Sequence, residues 1–355
     1  EKLKNPLIMY IIMILRNKLY NICNQLKEKN FMFFPKLKTL ISTHNDLDAV
    51  GSMIVTRYYA YLLNNPDIWS NGYEDIDYAY EDLKKYELII YPDFSPDEKA
   101  RKIIQENNIV CYIFDHHEVV YNDIIEWKKE YKNVHYVYTT EFSGAKIFYN
   151  FIKENYSIEI NPVLEQFIEY VSIYDTWEKN NPSWIIAQNL NRLLYKSINY
   201  KIKNIHKYDL FIDMMNSKFN NDTSFSFNRL EEIKINQDIK KEKELFQSII
   251  SKPNVLIKSR KDSKGNYFAI IKCNSKISAI CNMILEKYKK LDYIIAINYF
   301  DENNPKVSLR SKEHFNLLEL QNVKGHENSA GYENPTIEFC SKLWDNTLYE
   351  IPYKN

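Results

Sequence analysis

The chain has 355 residues, with 47 basic and 47 acidic side chains and a formal net charge of zero. That length points to two domains rather than one compact core. Even charge excludes a bulk basic surface of the kind that tracks long nucleic acid, while leaving room for a local groove. The five cysteines (Cys23, Cys111, Cys273, Cys281 and Cys340) are odd in number, widely spaced and free of any C-x-x-C pair. Such a pattern fits reduced thiols in a cytoplasmic compartment, and neither a disulfide framework nor a cysteine zinc site.

The apolar run Leu7–Leu15 is far shorter than the ~20 residues of a membrane span. It is expected to be the buried part of an amino-terminal helical extension over residues 1–35. Leu37–Ile41 predicts a strand, and the stretch after it carries His44, Asp46 and Asp48 at every second position. On a continuing strand those side chains share one face, at the carboxyl end where open α/β sheets bind ligands. Read alone, the stretch is equally a polar turn with a His–Asp hydrogen bond.

Ala49–Leu63 predicts a helix, with Val50, Ile54, Tyr58 and Leu62 four apart. Glu87–Tyr91 reads as a buried parallel strand, and Asp93 follows it. Pro96, Asp97 and Glu98 open another helix, with acids suited to its first turn. Ile109–Phe114 repeats the pattern and runs into Asp115, His116 and His117. Val134–Tyr138 is a further strand, Ser143 and Gly144 read as helix capping, and the helix from Pro162 ends near Asp175. Strands alternating with helices indicate a doubly wound, mostly parallel sheet. Residues 199–252 are polar and read as a helical connector. A smaller α/β unit follows, with strands near 255–259, 267–273, 293–300 and 306–311 around a helix at 277–288.

The acid- and imidazole-bearing positions at these element ends are His44, Asp46, Asp48, Asp93, Asp115, His116, His117 and Asp175. Together they offer the oxygen and nitrogen donors that suit Mn2+ or Mg2+ better than thiolate-bound zinc. They are numerous enough for two ions sharing a carboxylate at about 3.5–4 Å. Only six glycines occur, and Gly51, Gly144, Gly325 and Gly331 all fall in these stretches or in the one below. A chain that mostly avoids glycine is expected to keep it where backbone comes close to something.

Phe114–Glu118, Phe-Asp-His-His-Glu, resembles the signature of the DHH phosphoesterase superfamily. His44–Gly51 resembles its first motif, Tyr91–Asp93 its second and Tyr174–Trp177 its fourth. Gly325–Gly331 resembles the glycine-histidine motif of the DHHA1 domain that often follows. The first and fourth motifs look closest to the bacterial nanoRNase branch, and RecJ-type exonucleases are more distant.

This resemblance implies a DHH catalytic domain over 36–198, the connector over 199–252 and a DHHA1-like substrate-binding domain over 253–355, with a cleft between the two domains. It implies that His44, Asp46 and Asp93 hold one divalent cation, and that Asp48, Asp93, His116 and Asp175 hold a second. Asp115 would orient the histidines and His117 would face the scissile phosphate. Arg310, Gly325, His326 and Gly331 would bind the substrate. The function implied is a Mn2+-dependent phosphodiesterase, Mg2+ being the other candidate ion, that degrades short single-stranded RNA or DNA oligonucleotides to nucleoside monophosphates. Alternatives of the same chemistry are a pAp phosphatase or a linear or cyclic dinucleotide phosphodiesterase. An alternative of another class is a catalytically silent nucleotide-binding protein. Neither a membrane span nor a particular oligomeric state is implied.

Overall fold

The computed structural model describes residues 37–70, 80–202, 205–251, 257–298, 305–332 and 334–345. The extension over 1–35, with its apolar run and Cys23, lies outside the described residues. The described chain divides into two compact units. One holds the residues up to His116 together with Asp123–Ser226, and the other His117–Asn122 together with Phe227 onward.

Up to Asn221 the elements are β1 (Thr39–Thr43), α1 (Leu47–Tyr58), β2 (Asp67–Ser70), α2 (Tyr80–Leu83), β3 (Leu88–Pro92), α3 (Glu98–Glu106), β4 (Val110–Asp115), α4 (Glu118–Glu130), β5 (Val134–Tyr138), α5 (Gly144–Asn155), α6 (Pro162–Asp175), α7 (Trp184–Ser197) and α8 (Asp209–Asn221), all in the first unit except the start of α4. The five strands pair in the order β2-β1-β3-β4-β5, and every pairing is parallel. This is the doubly wound sheet expected from the alternating pattern. β1 and β3 are buried throughout, which is why each reads as a continuous apolar run. β2 escaped the sequence reading because it is a partly exposed edge strand with no apolar alternation.

The chain leaves β1 toward β2 on one side, while β3 and β4 lie on the other. Connections that part in opposite directions leave a crevice at the carboxyl ends of β1 and β3. Thr43 Oγ1 donates to the Pro92 carbonyl at 2.7 Å, tying those two ends together in the interior. α1 packs on α5 and α6. Gly51 sits where a Cβ would meet Ala145 Cβ and Val171 Cγ1, each at 3.2 Å.

The second unit holds α9 (Arg229–Ile250), β6 (Ile257–Lys261), β7 (Tyr267–Lys272), α10 (Ile277–Lys287), β8 (Tyr293–Asn298), β9 (Lys306–Ser311), β10 (Val323–His326), β11 (Ser329–Tyr332) and α11 (Ile337–Trp344). Its six-stranded sheet runs β10-β11-β9-β8-β7-β6. Only β7 and β8 pair in parallel; the other pairings are antiparallel. The stretch 199–252 supplies helices to both units. α8 buries Phe211, Ile212 and Met215, whereas Phe246 and Ile249 of α9 pack with Ile280 and Ile284 of α10. Among the described residues no helix is long and apolar enough to cross a membrane.

Candidate metal centre

The His44–Asp48 stretch does not continue β1. The strand ends at Thr43, and Asp46 caps α1 by accepting a hydrogen bond from the Ala49 amide at 3.0 Å. The even spacing therefore does not put three side chains on one strand face. An aspartate at this position satisfies one of the amides a helix start leaves without an intrahelical partner, so helix wins over strand. The other Asp46 oxygen stands 3.3 Å from His44 Nδ1. Burial tends to lower the His44 imidazole, but Asp46 outweighs it and the net shift is upward. The loop is held from two sides, by Ser70 Oγ on the His44 carbonyl at 2.9 Å and Tyr208 Oη on the Asn45 carbonyl at 2.8 Å.

Asp48, in the first turn of α1, is completely buried. Both its oxygens lie 3.2 Å from the Ala145 amide, in the first turn of α5. Amides at a helix start and the dipole behind them favour an anion there. Even so, burial and then the Asp175 charge push the Asp48 carboxyl up to about 8.

Asp93 follows β3 with φ +58°, a left-handed conformation, and its amide donates to the Phe114 carbonyl at 2.8 Å. A Cβ built on Gly144 would stand 2.4 Å from both the nitrogen and the Cα of Asp93. Only glycine lets α5 begin so near that backbone. The capping expected of Ser143 is positional only, because its side chain makes no cap hydrogen bond. Burial first, and Asp48 second, hold the Asp93 carboxyl well above its ordinary range.

At the end of β4, Asp115 accepts a hydrogen bond from the His116 amide at 2.8 Å and another from Ser95 Oγ, fixing the backbone that presents His116. His116 Nε2 stands 3.3 Å from Asp93 Oδ1 and 3.0 Å from Asp175 Oδ2. Burial opposes the charge on His116, but Asp175 and Asp93 overcome it and raise the imidazole to about 12. Asp175 is the last residue of α6, the end at which the helix dipole disfavours a carboxylate.

Asp48, Asp93, His116 and Asp175 each offer a ligand atom, and these atoms lie within 4.8 Å of one another. Asp93, His116 and His117 form an overlapping group on the same measure. His44 and Asp46 belong to neither group. Burial and the mutual repulsion of three carboxylates make Asp48 and Asp93 resist ionisation, and a bound cation would relieve both. Asp93 Oδ1 and Asp175 Oδ2 are buried and accept no hydrogen bond of regular geometry. The four-residue group offers oxygen donors with one nitrogen, the other adds a second imidazole, and neither has a thiol; such donors suit a hard divalent cation. The cluster could hold a metal ion of that kind.

In the second unit, Arg310 Nη2 donates to Ser278 Oγ and Nη1 to the Leu309 carbonyl, each at 2.7 Å. Gly325 has φ +135°, and a Cβ there would stand 2.7 Å from the Ser329 carbonyl. A Cβ on Gly331 would meet nothing nearer than the Val307 carbonyl at 3.7 Å. The backbone of His326 pairs with Ser329; its side chain lies outside the described part of the chain. Thr43, Ser70, Ser95, Tyr208 and the Ala145 amide, which steady the crevice, carried no motif. The α5 start was read from Ser143 and Gly144, but its close approach to Asp93 had no sequence signal beyond the rarity of glycine.

Residues 38–173 match the family model described as DHH family, N-terminal domain. Among solved structures, the chain is similar to the DHH domain of a member of the s1p family of ribosomal proteins. That likeness has 12% identity and a TM-score of 0.61 over 96% of this chain and 93% of the other. It is also similar to RecJ from Thermus thermophilus in complex with Mn2+, with 12% identity and a TM-score of 0.50. There the match covers 93% of this chain and 54% of the RecJ chain. At such identities the likeness is one of fold. No curated protein matches the chain. Asp48, Asp93, Asp115 and His116 all fall inside residues 38–173, the stretch that matches the model of the DHH family's N-terminal domain.

Proposed function

We propose that the chain is a Mn2+-dependent phosphodiesterase that cuts short single-stranded oligonucleotides and releases nucleoside monophosphates, as in the nanoRNase branch. The observation that carries this reading is the enclosed cluster of Asp48, Asp93, His116 and Asp175, at the crevice of a parallel sheet in a DHH-family domain. The Mn2+ bound to RecJ, whose fold is similar, supports the choice of ion. Zero net charge suits short substrates rather than long strands.

In this reading Asp48, Asp93, His116 and Asp175 would hold one divalent ion, and His44, Asp46 and Asp93 would hold a second. Bound there, the ions supply Lewis-acid stabilisation of phosphate charge and activation of water. The chain's own residues do the positioning. The α5 amide orients Asp48, Asp115 steadies the backbone of His116, and His117 donates a hydrogen bond or a proton to the leaving oxygen. Arg310 offers the substrate a guanidinium fork, and Gly325, His326 and Gly331 supply further contacts. Residues 36–198 act as the catalytic domain and 253–355 as the substrate-binding domain.

The test offers end-labelled RNA and DNA of two to ten nucleotides, with Mn2+ or chelator, and resolves the products by length. Stepwise release of monophosphates that stops with chelator and in Asp48→Asn is expected. Cleavage confined to pAp or to cyclic dinucleotides would move the substrate assignment. Binding without turnover of any of them would make the chain a silent nucleotide-binding protein.

A further inference from the structure

The turn that follows Asp175 carries an aromatic nest that the metal centre does not use. Tyr174 and Asp175 are the last two residues of α6, and Trp184 opens α7. The Tyr174 and Trp184 rings stack with centroids 5.8 Å apart and planes 12° from parallel. Trp177 meets Trp184 edge-on at 5.1 Å and Tyr174 at 5.8 Å.

Two features set the nest apart from the core. Core rings such as Tyr59, Tyr149 and Phe167 are exposed by 2% or less, whereas Tyr174, Trp177 and Trp184 are all only half-buried. Trp177 is also held at φ +61°. A bulky side chain adopts that left-handed conformation at a cost, and such strain gathers where structure serves a site. The chain around it is pinned, with Glu178 N donating to the Ile173 carbonyl at 3.0 Å. Asn191 Nδ2 donates to the Tyr174 hydroxyl at 2.8 Å. Lys179 Nζ lies 5.0 Å over the Trp177 ring.

Position ties the nest to the cluster. Trp177 is two residues beyond Asp175, so its Cα lies within about 7.6 Å of the Asp175 Cα, twice the ~3.8 Å step of the chain. Asp175 Oδ2 in turn touches His116 Nε2 at 3.0 Å. A nucleotide carries its base one ribose away from its phosphate, so a phosphate at the cluster brings a base within reach of this turn. Aromatic faces hold any of the bases, because each has a π-face, and a nearby cation adds to the attraction.

We propose that Trp177, with Tyr174 and Trp184, forms a stacking surface for the nucleobase attached to the phosphate that reacts at the Asp48, Asp93, His116 and Asp175 cluster. Which phosphate is meant rests on the phosphodiesterase reading; the affinity for a base does not. The surface makes the chain a reader of nucleotides rather than of phosphate esters at large, with little preference among bases.

Calorimetry on the full chain in Mn2+ separates the two ideas, because binding needs no turnover. Adenosine 5′-monophosphate is expected to bind at least roughly ten-fold tighter than ribose 5-phosphate, the scale of one stacked base. Trp177→Leu should erase most of that margin, while Trp177→Phe keeps most of it. Quenching of tryptophan fluorescence in the unaltered protein by the monophosphate, and not by the sugar phosphate, gives a readout independent of any variant. Equal affinity for the two probes, or a margin untouched in folded Trp177→Leu, overturns the proposal. Oligonucleotide cleavage without that margin sinks the stacking surface alone. The margin without cleavage sinks the enzyme reading alone.

Discussion

Gly144 and Asp93 are packed so closely that no side chain fits between them: a Cβ on Gly144 would lie 2.4 Å from the Asp93 nitrogen and Cα. The contact joins the start of α5 to the residue that follows β3, and it sets where the Asp93 carboxylate stands. Because the clash is with backbone, Gly144→Ala must move either α5 or Asp93. It is expected to cost about 1–3 kcal/mol, as overpacking in an interior does. Metal affinity should fall by at least about ten-fold, the lower end of what loss of a supporting contact costs. Thermal denaturation and calorimetric Mn2+ titration check both. A variant matching the parent on both counts would mean this contact does not position Asp93.

Asp48 gives a prediction of opposite signs in the two states. Its carboxylate is completely buried, and burial pushes it up to about 8. Asp48→Asn keeps the shape and removes the charge. The metal-free variant should therefore be at least as stable as the parent at pH 8, yet bind Mn2+ at least about ten-fold more weakly. Denaturant melts at pH 8, with and without Mn2+, test this, and a variant that is weaker in the metal-free state contradicts it.

The pH dependence of the metal-free protein follows from the same group. Between the ordinary carboxylate range and about 8, the native state keeps a proton on Asp48 that the unfolded chain releases. Stability from this group is full below about pH 4 and is lost as pH rises toward 8. His116, raised to about 12, acts in the same direction from about pH 6.5 upward. Each such proton gives a slope of up to about 1.4 kcal/mol per pH unit. Melts between pH 5 and 8 should show a shallower fall in Asp48→Asn than in the parent, and equal slopes would refute the assignment.

Adding the ion should reverse that fall. A cation that displaces these protons binds more tightly as pH rises, so Mn2+ should stabilise more at pH 8 than at pH 6. At 100 times its dissociation constant it should add about 2.7 kcal/mol, and chelator should remove the gain. Proton release, read by calorimetry in buffers of different ionisation enthalpy, is the direct check. A Mn2+ effect independent of pH would place the ion elsewhere.

Two glycines of the second unit should behave differently although they share a motif. Gly325 combines φ +135° with a Cβ position 2.7 Å from the Ser329 carbonyl, so Gly325→Ala is expected to destabilise by about 1–3 kcal/mol. A Cβ on Gly331 would make only an ordinary contact with the Val307 carbonyl at 3.7 Å, and Gly331→Ala should stay within about 0.5 kcal/mol of the parent. Paired thermal melts decide it, and equal losses would reject the distinction.

Much of the fold was legible because the information is local. β1, β3 and β4 announce themselves as apolar runs, and acids stand at or shortly after the end of each. Where two local signals compete, the pattern misleads. The spacing of His44, Asp46 and Asp48 reads as strand alternation, yet Asp46 is a helix cap and Asp48 belongs to the first helical turn. β2 was invisible, since an edge strand half open to water has no need of an apolar face. The hairpin of β10 and β11 was legible only as a motif, because its pairing is a contact between strands rather than a property of either.

The sequence by itself determined which groups stand at the ends of the alternating elements: acids and imidazoles in the order of the DHH motifs they resemble, with few glycines to spend elsewhere. Tertiary structure alone decided which of those groups meet. Asp48, Asp93, His116 and Asp175 come from four separate segments, and they converge because β1 and β3 send their connections apart at the sheet's switch point while α5 closes in over Gly144. Convergence of that kind depends on long-range packing, where a missing Cβ can matter as much as a charge.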